Sequence, residues 1–289
     1  MTNLAYARSR PASLTILLLI LLASPLAAGV VYEIEVTDHA AGEPSTTELA
    51  AEGKMLKMSI APGRTSGRGE MIFRGDRREM VVVDHDDKSY VVMDEATAKQ
   101  LADQLGGVSD QMKEAMKRVE EQLKNVPEDQ RAMVEKMLKE RMPNMGGNAP
   151  SRPANEYKRT GQRATKAGYP CVRYDVLRGG EKVREMWVTD WDNVEGAREV
   201  REAMLDMADF FEQIMSSLSE SLGGLGPAFG GDSPFDGLRE MDGFPVVVRE
   251  FDGGELESES TLRSARRRTL DPADFEPPAG YKRRSMGPQ

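Results

Sequence analysis

The stretch Met71–Met93, MIFRGDRREMVVVDHDDKSYVVM, decides the fold. Met71 and Phe73 share one face of a first run, and Gly75-Asp76 makes a tight turn. Met80–Val83 is a continuous apolar run, Asp84–Ser89 a polar loop, and Tyr90–Met93 a second apolar run. Short runs rich in Val and Tyr between turn residues predict antiparallel strands. Four consecutive apolar residues in each of two neighbouring strands mean that both faces of this hairpin need cover. One face meets a core, and the other requires something amphipathic from elsewhere in the chain.

Upstream, Val30–Asp38 alternates like a half-buried strand, with Tyr32, Ile34 and Val36 opposite Val31, Glu33 and Glu35. Thr46–Glu52 and Lys54–Ala61 read as a hairpin about Gly53, with Leu56, Met58 and Ile60 on one face. Pro62–Gly69 is a loop. Six strands in meander order without a helical crossover predict an antiparallel sheet.

Downstream the period changes. Ser109 is the expected N-cap of a helix carrying Met112, Met116, Val119 and Leu123. Pro127 fits the first turn of a second helix, which carries Met133, Val134, Met137, Leu138 and Met142. The two make a helical hairpin inserted over residues 94–148, closed by a loop rich in proline. Strands resume at Tyr157–Gln162, Cys171–Arg178 and Lys182–Thr189. A third helix, Val194–Leu222, carries Val200, Met204, Phe211, Ile214 and Leu218 on its apolar side. Gly223–Gly243 is expected to be a flexible, glycine-rich loop. Phe244–Phe251 and Glu255–Arg268 form a last hairpin about Gly253-Gly254. The tail Leu270–Arg284 is too rich in proline to extend the sheet.

These elements predict an α+β fold, a curved antiparallel sheet forming an incomplete β-barrel of about eleven strands. Helices sit on its concave side, with the helical hairpin inserted. No repeat of fixed period and no linker dividing two domains is present. The expected organisation is a signal peptide over residues 1–28 and one half-barrel domain over 29–289.

The leader carries the compartment. Arg8 and Arg10 precede an apolar core, Leu14–Leu22, followed by small residues at Ala23, Ser24 and Ala27–Gly29. This pattern predicts a secretory signal peptide cleaved near Ala28, and a periplasmic or secreted product. The apolar core is well short of the ~20 residues that a membrane-spanning helix needs, so no transmembrane anchor is expected. Cys171, the single cysteine, leaves no lipid attachment site after the leader and no internal disulfide. Its place mid-strand beside Val172 predicts a buried small hydrophobe. The formal net charge of −9, without a dominant basic face, argues against nucleic acid as a partner.

In order along the chain stand the leader, a meander beginning YEIEV, a strand pair ending KSYVVMD, then GYPCVRYDV, MWVTDW and a closing LDPADFEPPAGY. Together they resemble an uncharacterised secreted domain family related to the periplasmic lipoprotein carriers of the LolA/LolB type. The resemblance covers roughly 30–94 and 155–281. It implies an incomplete barrel whose apolar hollow holds acyl chains, and it supplies no catalytic residues.

The chemistry visible in the residues points the same way. There is no G-x-S-x-G elbow, H-E-x-x-H helix or G-x-x-x-x-G-K-[ST] loop. His39 and His85 fall in predicted loops, and Asp84, His85, Asp86 and Asp87 read as an exposed hairpin turn in preference to a cation site. Eighteen methionines, six of them within Met112–Met145, offer soft thioethers for Cu(I), but suit an adaptable apolar surface better. Trp187 and Trp191 flank a strand end, where core packing competes with ligand stacking. Arg263, Arg266, Arg267 and Arg268 would meet lipid phosphates or an acidic partner, or else blunt an edge strand.

The sequence therefore predicts a non-enzymatic exported protein that binds a hydrophobic ligand or a lipoprotein segment, with no cofactor and no metal. The candidate ligand-binding residues are Val81, Val83, Val91, Met93, Met112, Met116, Met133, Met137 and Trp187. The competing reading is an envelope interaction or chaperone-like module whose Met-rich helices bind partners.

Overall fold

In the computed structural model, residues 28–40, 42, 44–60, 68–123, 153–222 and 236–285 are described. The chain begins with six strands: β1 (Ala28–Asp38), β2 (Pro44–Glu52), β3 (Met55–Ile60), β4 (Gly69–Arg74), β5 (Glu79–Asp84) and β6 (Ser89–Met93). Helix α1 (Glu95–Leu123) follows, then β7 (Asn155–Lys166), β8 (Tyr169–Arg178) and β9 (Glu181–Thr189). A short 3-10 turn at Trp191–Asn193 leads into α2 (Ala197–Leu222) and α3 (Asp236–Glu240). Strands β10 (Phe244–Asp252) and β11 (Glu255–Thr269), a 3-10 turn at Pro272–Phe275 and β12 (Lys282–Arg284) close the chain.

All twelve strands join one sheet, ordered β12-β6-β5-β4-β3-β2-β1-β11-β10-β9-β8-β7. Two meanders, β1 to β6 and β7 to β11, are spliced where β1 runs antiparallel to β11 with Tyr32 opposite Ala265. The sheet is curved and unclosed, and every pairing is antiparallel except β12 on β6. Short turns make this topology cheap to form. Gly179-Gly180 and Gly253-Gly254 hold φ of +61°, +91°, +56° and +86°, as the two-residue turns favoured by twisted hairpins require.

Side-chain alternation sorts the first meander into two apolar faces. One face carries Tyr32, Leu49, Ala51, Leu56 and Phe73 and packs under α2 through Val200, Ala203, Met207, Phe210 and Ile214. The other carries Val31, Ala50, Ile72, Val81, Val83 and Val92 and packs under Leu270 and Phe275. The C-terminal strap, residues 270–285, therefore supplies cover for the second face of the β5–β6 hairpin. The expectation that this tail stays off the sheet is corrected. Its prolines shape the 3-10 turn, and beyond them Lys282–Arg284 pair with Ser89–Val91.

Helix α1 starts earlier than its periodicity suggested. Asp94 caps it, accepting from the Thr97 N–H at 2.7 Å, so Ser109 lies inside the helix and does not open it. The helix continues through Gly106-Gly107, where packing overrides propensity. A Cβ on Gly106 would stand 3.5 Å from the Ser221 carbonyl oxygen of α2, and Ala98 and Ala102 are buried. The second helix of the expected hairpin, with Met133 and Met137, lies outside the described residues, as do the leader and residues 223–235. The end of the expected glycine-rich loop is α3, whose neighbour Met241 is buried against Tyr174 and Val176. Among the described residues no helix is long and apolar enough to cross a membrane.

Candidate functional site

Two apolar rows cross the helix-facing side of the first meander. Cross-strand pairing aligns Leu49, Met58, Met71, Val82 and Val91 in one row, and Ala51, Leu56, Phe73, Met80 and Met93 in the next. Residues two apart on a strand share a face, so each strand contributes one member to each row. Helix α2 lies over them because its apolar residues recur at 200, 203, 204, 207, 210, 211 and 214, a helical stripe.

The stripe does not fill the space above the rows. A cavity of about 300 Å³ remains, lined by Leu49, Leu56, Met58, Met71, Phe73, Met80, Met204, Met207, Phe210 and Phe211. Half of these ten side chains are methionines, and none is polar. Phe73 and Phe210 meet at 5.7 Å between ring centroids, tilted by 42°. Beyond the cavity the first row continues to Val82, which at 39% is the one large apolar side chain among the described residues that counts as exposed.

Charges near α2 are engaged on its flank. Lys54 pairs with Asp206 at 3.2 Å, and Arg78 donates to the Gln213 amide oxygen at 2.6 Å while lying over the Phe210 ring. A larger hollow of about 690 Å³, with Glu52, Lys54, Glu199, Asp206 and Arg267 in its lining, lies between the β2–β3 turn and the start of α2. There Arg267 clamps Glu195 at 2.8 Å and Glu199 at 2.6 Å. The Arg267 hydrogen bond holds the Glu199 carboxyl below its ordinary range. Burial pushes the Glu52 carboxyl up, and its Oε2 has no hydrogen-bond partner.

The structure divides the residues singled out from sequence. Val91 and Met93 end the two rows, on the cavity's side of the sheet. Val81 and Val83 point the other way, into the cluster under the strap, because adjacent strand residues face opposite sides. Their place in the hollow is corrected accordingly. Trp187 is buried on β9 against the α2 face, with Nε1 donating to Glu185 at 3.1 Å and Lys166 over its ring, and does not line the cavity. Met112 and Met116 belong to α1, and Met133 and Met137 lie outside the described residues.

The cavity's own residues were visible in part. Leu56 with Met58, and Met71 with Phe73, alternate on β3 and β4, and Met204 with Phe211 stand a helical repeat apart. What sequence did not give is the register that brings β3, β4 and α2 together. The basic run is internally satisfied: Arg263 pairs with Glu35, Arg266 with Glu33 at 2.7 Å, and Arg268 with Glu48 at 3.2 Å. The acidic turn is built by Asp84, which accepts from the N–H groups of Asp86 and Asp87, while His85 Nδ1 lies 2.8 Å from the Tyr281 hydroxyl. Cys171 is buried, its Sγ donating to the Tyr169 carbonyl, and burial pushes the thiol up.

No family model and no curated protein matches the chain. Among solved structures it is similar to an uncharacterized conserved protein from Thermus thermophilus, with a TM-score of 0.42 and 8% identity over 90% of this chain and 92% of that one. It is similar to PNGF-II with a TM-score of 0.38 and 8% identity, over 90% of this chain and 31% of that one. Likenesses this distant carry no argument about function.

Proposed function

We propose that the protein is a non-enzymatic exported carrier that holds a lipid or acyl chain along the two apolar rows, in a half-barrel with α1 and α2 on its concave side. The observation that supports this reading is the cavity of about 300 Å³, whose lining contains no polar side chain. Its volume falls at the small end of ligand pockets, ~300–1,000 Å³, and suits one narrow chain better than a folded partner. The row from Leu49 to Val91 crosses five strands spaced ~4.8 Å apart, roughly 19 Å, the reach of an extended apolar chain. Methionine side chains repack around tails of differing shape, where branched aliphatics favour one fit. The leader at Arg8–Ala28 and the resemblance to the LolA/LolB-type carriers agree with export and with an acyl ligand.

The test is titration with phenylnaphthylamine, an uncharged dye that fluoresces in apolar surroundings. Filling the cavity with Met58→Trp or Met204→Trp should weaken dye binding about tenfold or more, with thermal unfolding still cooperative. Wild-type protein that takes up no dye, or filled variants that bind as before, would overturn the proposal. Native mass measurement of protein taken from its own envelope separates the competing reading, because a co-purifying lipid supports the carrier and a stoichiometric protein partner replaces it.

A further inference from the structure

We infer that the cavity is a site of methionine oxidation, and that sulfoxide formation there switches ligand binding off. The inference rests on the carrier reading and adds to it a chemical means of control. Five thioethers, Met58, Met71, Met80, Met204 and Met207, line one apolar space. Met207 is buried, whereas Met58, Met71, Met80 and Met204 are only partly so. Their sulfurs are the most oxidisable groups in a lining otherwise made of Leu and Phe. Met58 and Met71 face each other directly across β3 and β4. Cross-strand partners stand ~5 Å apart at Cβ, so a change at either is felt by the same ligand segment.

The reaction needs a peroxide, hydrogen peroxide or an organic hydroperoxide, as the oxidant. Its O–O bond breaks, the thioether sulfur gains the oxygen and loses two electrons, and water or the alcohol leaves. Each product is a polar S=O group in a space that offers it no donor from the lining. An apolar chain laid over it would bury that dipole unpaired, a cost borne by the complex far more than by the empty cavity. Oxidation therefore weakens binding more than it weakens the fold. A bound chain, covering the same sulfurs, slows their oxidation.

The experiment treats the purified mature protein with graded hydrogen peroxide, with and without saturating phenylnaphthylamine. It reads sulfoxide by peptide mass mapping and dye affinity by titration. Met55, partly buried on the opposite face under the strap, is the internal reference. The expected result is sulfoxide at Met58, Met71, Met80 and Met204, slowed by dye at these positions and not at Met55. Dye affinity should fall about tenfold or more as they convert. In a variant carrying Leu at all five cavity positions, Met58, Met71, Met80, Met204 and Met207, affinity should no longer respond to peroxide, whatever its starting value. Sulfoxide at the four positions with unchanged affinity, resistance of those sulfurs to peroxide, or a peroxide response that persists in the Leu variant would each overturn the switch and leave the carrier reading standing. Untreated protein that binds no dye would overturn both.

Discussion

Arg74 on β4 and Glu276 on the C-terminal strap, 202 residues apart in the chain, form an ion pair that ties the first meander to the last segment. Arg74 is 7% exposed and also meets Glu79 at 2.8 Å, while Glu276 is shared with Arg77 at 2.7 Å. The two partners differ in what their loss leaves behind. Arg74→Met strands Glu79, only 15% exposed, without its main cation, and should cost about 3–5 kcal/mol. Glu276→Gln removes a carboxylate that is 40% exposed and should cost about 1 kcal/mol or less. Denaturant unfolding of both variants, with proteolysis of the strap as a second readout, checks this. Equal, small effects would mean that this ion pair contributes little to holding the strap.

Acid should loosen the same connection. Burial works to raise the Glu276 carboxyl, but the Arg77 hydrogen bond and the charges of Arg74 and Arg77 outweigh it and hold it low. The Thr97 N–H holds Asp94 low, and the Arg267 hydrogen bond does so for Glu199. A carboxyl depressed in the folded state stabilises fully above its unfolded value, near ~4, and that stability drains away as pH falls through the folded value. Unfolding midpoints should therefore be flat through neutral pH and drop below pH ~4, with a shallower drop in Glu276→Gln. A midpoint that rises on acidification would contradict these pairings.

Much of the sheet was readable because its strands are local hairpins with alternating faces and glycine turns. Leu56 and Met58, or Met71 and Phe73, announce their shared side without any knowledge of partners. The splice between the meanders is a different matter, since Tyr32 opposite Ala265 depends on register between strands more than 200 residues apart, and the Glu33–Arg266 and Glu35–Arg263 pairs become visible only once that register is set. The placing of Val81 and Val83 in the ligand hollow failed for a related reason. The strap that covers them folds back from the far end of the chain, and only three-dimensional packing reveals it. In the site, methionine content was legible and its location was not. The six methionines clustered in sequence drew attention from Met58, Met71, Met80 and Met204, which are scattered along the chain and meet only when β3, β4, β5 and α2 assemble.

The two candidate starts of α1 make a sharp comparison. Asp94 accepts from the Thr97 N–H, whereas Ser109 stands inside the helix with its backbone already in the ladder. Asp94→Ala should cost about 1 kcal/mol, the usual worth of an N-cap, while Ser109→Ala should be neutral or slightly stabilising. Urea midpoints of the two single variants decide between them. The reverse order would restore Ser109 as the helix start.

The outer edges of the sheet, among the described residues, are protected in two different ways, and one of them can be removed. On the β7 edge stand Lys158, Arg159, Arg163 and Lys166, with a bulge between Arg159 and Arg163 around Gly161 at φ +77°. Charge and irregular backbone both discourage a further strand. On the opposite side β6 reads SYVVM, with neither charge nor proline, and its outer edge is covered by the basic strand Lys282–Arg284. Deleting residues 282–289 removes a pairing of only three residues, at ~0.5–1.5 kcal/mol per ladder hydrogen bond, so the domain should stay folded. What it exposes is a short, apolar, uncharged edge, which pairs readily with another copy. Sedimentation should show concentration-dependent self-association of the truncated chain, and Val91→Lys in the same background should reverse it by placing a charge on the edge. A truncated chain that stays monomeric at concentrations where the full chain does would show that β12 is an ornament of the strap and not the guard of β6. Association that Val91→Lys leaves untouched would instead point to the apolar face beneath Leu270 and Phe275, uncovered by a strap held only through Glu276 and Tyr281.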